Sequence, residues 1–352
     1  MSDLSSLIDR IRARNTSWRD YQQILDLTDK KELQLVFSEA YKVKKENFGN
    51  NLKIYFPDKK FPAVSLTGNK CALNCDHCNK KYLNGMKSIL SIDELEGFLT
   101  KHIEKGGVGV LLSGGCDPEG AVPLKRFLDT VEKIKTQSNL IVNVHTGLLD
   151  EETARKLASA KVDIVSFDIN LDKEIIKNIY HLDKAVKDYK NAIEILKKYN
   201  LNVIPHICIG LHYGEVHKEL DGLKFIKKVN INPSVLVLIA LIPPEGKRTK
   251  FKAPKPYDIA KIATVSRLSF PYSEISLGCM RPRARKRVDI ELNTIKSGIT
   301  RIEMPSPKTL KRIKNYDDDI KFDVYTACCA LPGKYEEVAL TKNPKYLNYL
   351  RL

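Results

Sequence analysis

Cys71, Cys75 and Cys78, in the segment Cys-Ala-Leu-Asn-Cys-Asp-His-Cys, are the densest group of chemically active side chains in the sequence. Thiolates are soft ligands that suit zinc or iron–sulfur clusters. A structural zinc site takes four ligands, usually as two Cys or His pairs separated by a longer loop. No second pair lies nearby. His77 is a fourth ligand on paper, but it stands directly between two cysteines and reads as a packing residue. A [4Fe–4S] cluster that only carries electrons takes four thiolates. Three thiolates leave one iron open to bind a substrate or cosubstrate.

The elements that position this loop follow from the apolar pattern. Short apolar runs at 62–67, 108–112, 140–144, 162–167, 203–209, 235–242 and 274–277, with a weaker one at 299–304, alternate with amphipathic helical segments. Most runs are continuous, as parallel strands covered on both faces require. Helices are expected at 91–105, 124–135, 151–159, 185–199, 218–228 and 256–268; Ser91 and Glu94 form a capping-box signature for the first. The fold class expected is α/β, a (β/α)8 TIM-like barrel, with an open six-stranded partial barrel as the alternative. A helical extension (1–55), the barrel (56–310) and a C-terminal extension over the barrel mouth (311–352) make up the expected domain organisation.

Active residues of such barrels gather where the strands end. The cysteine loop follows the first expected strand, and Ser113-Gly-Gly-Cys-Asp117 follows the second. His145 follows the third, Asp168 and Asn170 the fourth, and His206 and Cys208 close the fifth. Cys279 ends the seventh. A lone His near a strand end is more often structural, and His181, His212 and His217 receive no functional reading.

The chain has 352 residues, of which 43% are hydrophobic and 29% charged, enough apolar material for a large core. No apolar run approaches membrane-spanning length, and the N-terminal segment has no signal-peptide core, so a cytoplasmic protein without membrane association is expected. The formal charge is +16. Much of it reads as solvated helix faces; the remainder implies an acidic partner. The densest cluster, Arg281, Arg283, Arg285, Lys286 and Arg287, has no interleaved aromatics, which favours phosphate, carboxylate or acidic protein over nucleic acid.

With its Cys-x3-Cys-x2-Cys spacing after the first strand, the sequence resembles the radical S-adenosylmethionine superfamily from about residue 61 to 304. That resemblance implies a [4Fe–4S] cluster on Cys71, Cys75 and Cys78, with S-adenosylmethionine chelated to its open iron. One electron, from a donor protein, then yields a 5′-deoxyadenosyl radical that abstracts hydrogen from an unactivated carbon. Ser113-Gly114-Gly115 matches a Gly-Gly-Glu segment whose backbone takes the methionine amine. Here Cys116 replaces the Glu, and Cys116 or Asp117 is the candidate to compensate. Asp168 and Asn170 are candidates for the ribose hydroxyls or the methionine carboxylate, with a helix cap as the competing role nearby, chiefly for Asp172.

Five cysteines remain: Cys116, Cys208, Cys279, Cys328 and Cys329. Buried free thiols are the plain reading, but a vicinal Cys328–Cys329 pair suggests metal or redox work. A C-terminal segment over the barrel mouth would gather Cys279, Cys328 and Cys329 as ligands of a second [4Fe–4S] cluster. The phrases 61–68, 112–120 and 276–283, with the Cys-Cys ending, resemble the archaeal biotin-synthase-related group. That group includes one subunit of a two-component lipoyl synthase. The resemblance implies insertion of the second sulfur, at C6, into an octanoyl chain on an acidic lipoyl-carrier domain, alongside a second radical subunit. Another biotin-type thiolation, a small-molecule rearrangement and, ranked last, a tRNA modification are the competing activities.

Overall fold

The computed structural model describes residues 3–246 and 250–350. Its centre is one sheet of eleven parallel strands: β1 (Asn51–Tyr55), β2 (Ala63–Ser65), β3 (Lys87–Ser88), β4 (Gly109–Ser113), β5 (Ile141–His145), β6 (Ile164–Asp168), β7 (Val203–Ile209), β8 (Val235–Ala240), β9 (Glu274–Leu277), β10 (Arg301–Glu303) and β11 (Lys321–Tyr325). Strands β2 and β4 to β10 coincide with the eight apolar runs and lie side by side in chain order. The sheet is a half-barrel wrapped by helices, with β3 and β11 as its two edges.

Alternation along each strand divides the side chains between two environments. Val142, Val144, Val165 and Phe167 face outward into the core shared with the helices. Their neighbours face the barrel interior in layers. Ile141, Ile164, Ile204 and Val235 form an apolar floor at the strand starts. One layer up, the Ser166 hydroxyl donates to Asn143 Oδ1 at 3.0 Å. Beside them the His145 and His206 rings meet edge to face at 5.3 Å. Polarity thus rises along the strands toward the end where the loops gather.

The helices follow local signals. Ile92–Glu104 starts on the Ser91–Glu94 capping box, and Pro256–Ser269 starts with proline at its first position. At the N-terminus, Asp3–Arg12, Trp18–Asp26 and Lys30–Phe48 pack on the outer helices; Phe37 stacks on Tyr257 at 6.2 Å.

Two strands fall in the segments expected to be extensions. β1 pairs with both β10 and β11, so the sheet reaches back to Asn51 and forward to Tyr325. The chain after β11 also lies elsewhere than over the mouth. Ala327, Cys329, Ala330 and Leu331 pack on the floor residues at the strand starts, and the Tyr335 hydroxyl donates to Asp163 just before β6 at 2.8 Å. Charge explains the correction. Lys53 binds Glu274 at 2.5 Å and Glu336 at 2.7 Å, Arg301 binds Glu336 at 2.7 Å, and the Tyr55 hydroxyl donates to Glu336 at 2.6 Å. Arg301 also donates to the Leu331 carbonyl. The C-terminal segment therefore plugs the barrel from its floor, where inward-facing Arg301 and Lys53 need carboxylates.

Candidate functional site

The loop after β2 is held from two sides. On one, the Gly115 N–H donates to Thr67 Oγ1 at 2.7 Å, the Ala72 N–H to the Cys116 carbonyl at 2.8 Å, and the Cys116 N–H to Cys71 Sγ at 3.3 Å. On the other, the Asp76 N–H donates to the Ile179 carbonyl at 2.9 Å, and Asp76 pairs with His181 at 2.7 Å. Gly115 is obligatory for the first set: a Cβ there would fall on the Lys70 carbonyl and the Cys71 backbone.

Hydrogen bonding from Cys116, stronger than the opposing burial, brings the Cys71 thiol down to about 6. Burial pushes Cys75 up to about 12 and raises Cys78. Burial also lowers the His77 imidazole to about 4, and its buried Nδ1 has no hydrogen-bond partner. Its ring lies 5.3 Å from Tyr180, the packing position expected of it.

Cys71, Cys75, Cys78, Gly114, Gly115, Cys116 and Asp168 line one cavity of about 280 Å³. Asp168 is the carboxylate in that lining, and its charge acts on His77, His145 and Tyr180. Two candidates stand apart. Asn170 turns away into an adjoining recess, where Oδ1 accepts the Asp172 N–H at 3.1 Å and Nδ2 is unpartnered. Asp117 Oδ1 accepts the Glu119 and Ala121 N–H groups, both at 2.9 Å, so its carboxylate serves its own turn. Asp172 has the capping role, accepting the Glu174 N–H at 2.9 Å.

Sequence reasoning missed Tyr82, whose charge environment includes Cys78, Cys208 and Cys279 together. It lines the cavity with the cysteine loop. Only its position four residues after Cys78 could have flagged it.

Cys328 and Cys329 reach the barrel interior from the floor, where Cys329 is buried against the floor residues, while Cys279 lies in the loop after β9. The Asn143 amide faces Cys328 Sγ at 3.9 Å. Glu303, a second residue the sequence did not flag, is buried at the end of β10, and that burial raises its carboxyl.

Neither thiol set is gathered for a single ion. Thiolates around one zinc stand about 3.8 Å apart, given Zn–S bonds of about 2.3 Å. Among the described residues, only Asp317, Asp318 and Asp319 place ligand atoms all within 4.8 Å of one another. Cubane thiolates sit on different irons and are spaced more widely, and three thiols in one loop are the donor chemistry such a cluster takes.

The basic cluster divides in two. Arg281 is fully buried and binds Glu291 at 2.7 Å, the Gly278 carbonyl at 2.6 Å and the Glu303 carbonyl at 2.7 Å. Arg287 is half-buried on Glu291. Arg283, Arg285 and Lys286 remain exposed. Among the described residues, no helix is long and apolar enough to cross a membrane.

The family model of the radical SAM superfamily matches residues 65–226, from the last residue of β2 to the helix after β7. The matched segment, a little under half of the chain, holds Cys71, Cys75, Cys78, Gly114, Gly115 and Asp168, and proteins of that superfamily use a [4Fe–4S] cluster and S-adenosylmethionine. It is similar to 3-methylornithine synthase of Methanosarcina acetivorans, with 24% identity over 86% of this chain and 83% of the relative. It is also similar to biotin synthase of Geobacillus kaustophilus, with 25% identity over 53% and 55% of the two chains. Among solved structures, methylornithine synthase (PylB) superposes with a TM-score of 0.65 over 94% of this chain and 99% of that one. The FeFe-hydrogenase maturase HydG from Carboxydothermus hydrogenoformans gives 0.68 over 99% and 85%. Both are 18% identical and establish the fold alone.

Proposed function

We propose that the protein inserts sulfur at an unactivated C–H position, the second sulfur of a lipoyl group at C6 of an 8-thiolated octanoyl chain on an acidic carrier domain. One observation supports this reading: further thiols lie inside the same barrel as the Cys71–Cys75–Cys78 loop, Cys328 beside the Asn143 amide and Cys329 against the floor residues. One set suffices to make a radical; a second supplies a place for sulfur. Cys71, Cys75 and Cys78 would hold the first cluster and Cys279, Cys328 and Cys329 the second. An external one-electron donor completes the requirement, with a second radical subunit as the expected partner.

When bound, the first cluster and S-adenosylmethionine supply the one-electron cleavage that removes a hydrogen atom from substrate. The chain's own residues bind and shield. The Gly114–Gly115 backbone, kept bare by the Gly115 contact with Lys70, offers close approach for the methionine amine. Asp168 is the one carboxylate among the described residues that line this cavity with the cysteine loop, suited to ribose hydroxyls. His145 and His206 stay uncharged because burial lowers both, His206 to about 4, so the interior stays suitable for an alkyl chain.

The similarity to 3-methylornithine synthase across most of both chains favours a second reading, radical chemistry on a small amino acid. Anaerobic incubation with S-adenosylmethionine and a reductant, measuring 5′-deoxyadenosine, separates the two. Product formation is expected with an octanoylated or 8-thio-octanoylated carrier domain. Formation with small amino acids and none with either carrier would overturn the proposal.

A further inference from the structure

Cys71, Lys80, Gly115 and Cys116 line two cavities at once, the inner one that holds Asp168 and an open outer one of about 710 Å³. A wall of single residues therefore separates solvent from the cysteine loop at Cys71. It is also closed. The Ala72 N–H on the Cys116 carbonyl, the Cys116 N–H on Cys71 Sγ and the Gly115 N–H on Thr67 Oγ1 join its two loops, and Gly115 leaves no gap against the Lys70 carbonyl. An electron can cross such a wall, whereas an acyl chain cannot. The outer face is basic. Lys70 and Arg126 are exposed and Lys80 is half-buried, and none of the three has a carboxylate at pairing distance among the described residues. Arg126 is held instead by the Leu90 carbonyl at 3.1 Å, with its guanidinium 4.5 Å from the Phe127 ring. Asp117 is the one carboxylate among the described residues that line this face, and its Oδ1 is taken by the Glu119 and Ala121 N–H groups. Beside the cations, Leu90 is 51% exposed and Ile92 47%. Apolar contact flanked by unpaired cations is the make-up of a protein-docking face rather than of a solvated one.

We propose that this face docks an acidic protein that delivers the single electron for S-adenosylmethionine cleavage. The inference rests on the cluster read on Cys71, Cys75 and Cys78, and it gives the electron donor its place on the chain. Lys70, Lys80 and Arg126 set the partner's charge. The thin, closed wall sets its task. In the step itself the donor loses one electron, the cluster gains it, and no atom crosses the face. The acylated carrier needs an opening into the barrel and so belongs elsewhere on the molecule.

The test uses the full chain with its cluster reconstituted anaerobically, and a flavodoxin reduced to its hydroquinone as the donor probe. Formation of the flavin semiquinone after rapid mixing gives the rate of electron delivery. Bleaching of the cluster by dithionite, a small reductant that needs no protein face, gives the reference. Lys70→Glu with Arg126→Glu should slow delivery from the flavodoxin about tenfold or more, the scale of lost electrostatic steering, and flatten its dependence on salt. Iron content and the dithionite rate should not change. Lys308→Glu with Lys311→Glu, an equal charge reversal on the helix Pro307–Tyr316 where both are exposed, should leave the flavodoxin rate as it was. Each substitution at the face is also made singly, so that a loss of iron in one, from disturbance of the Cys71 loop, leaves the other to be read. A flavodoxin rate unchanged in the face variants, or lowered equally by the Lys308 and Lys311 pair, would overturn the proposal while leaving the cluster standing. So would weaker binding of the carrier domain with flavodoxin delivery intact, which would make this face the carrier's. No iron in the unsubstituted chain would remove the cluster itself, and the docked donor with it.

Discussion

Cys71, Cys75 and Cys78 differ in environment although they share one loop, and the difference is chemical. Cys71 is the thiol already biased toward thiolate, through Cys116, while burial holds Cys75 and Cys78 protonated until a cation compensates them. Replacing any of the three with Ala is expected to abolish reductive cleavage of S-adenosylmethionine, read as loss of 5′-deoxyadenosine. Asp168→Ala should weaken S-adenosylmethionine binding about tenfold or more, the scale of a hydrogen bond to a charged group, with iron content unchanged; equilibrium dialysis checks it. These residues were legible because spacing in a short loop survives any fold. Glu303 and Tyr82 were not, since each acquires meaning only from what the barrel places opposite it. Asp117 was misleading for the converse reason: a carboxylate beside a Gly-Gly turn looks free in sequence, yet its own backbone takes it.

At the scale of elements, the cysteine loop depends on the loop after β4. Gly115→Ala must push against the Lys70 carbonyl and Cys71, so it should lower iron in the first cluster while the circular dichroism of the barrel stays intact. The C-terminal segment depends on Arg301. Arg301→Met leaves Glu336 and Glu274 sharing Lys53 and should cost on the order of 3–5 kcal/mol in denaturant unfolding, with Cys328 and Cys329 displaced. Eight strands were legible because each is a continuous apolar run. β1, with Lys53 inside it, and β11, Lys321–Tyr325, are not, because charged residues interrupt their patterns. Lys53, with Arg301 of β10, draws the C-terminal segment to the floor, which no periodicity could indicate.

Across the whole molecule, charge acts twice, once inside and once on the surface. Burial alone would raise the Glu274 carboxyl, but Arg301 and Lys53 outweigh it and hold Glu274 at about 2, below its ordinary 4.5. A depressed carboxyl contributes stability above its unfolded value, lost as pH falls through the folded one. Unfolding measured by urea titration should therefore weaken by roughly 3 kcal/mol between pH 4.5 and 2 from this group. Outside, the +16 net charge, with Arg283, Arg285 and Lys286 exposed beyond β9, suits an acidic carrier. The direct measurement is the intact mass of an 8-thio-octanoylated carrier domain after anaerobic turnover with S-adenosylmethionine and reductant. Sulfur insertion predicts that the carrier gains one sulfur atom, with matching 5′-deoxyadenosine. A carrier of unchanged sulfur content, while 5′-deoxyadenosine accumulates, would contradict it.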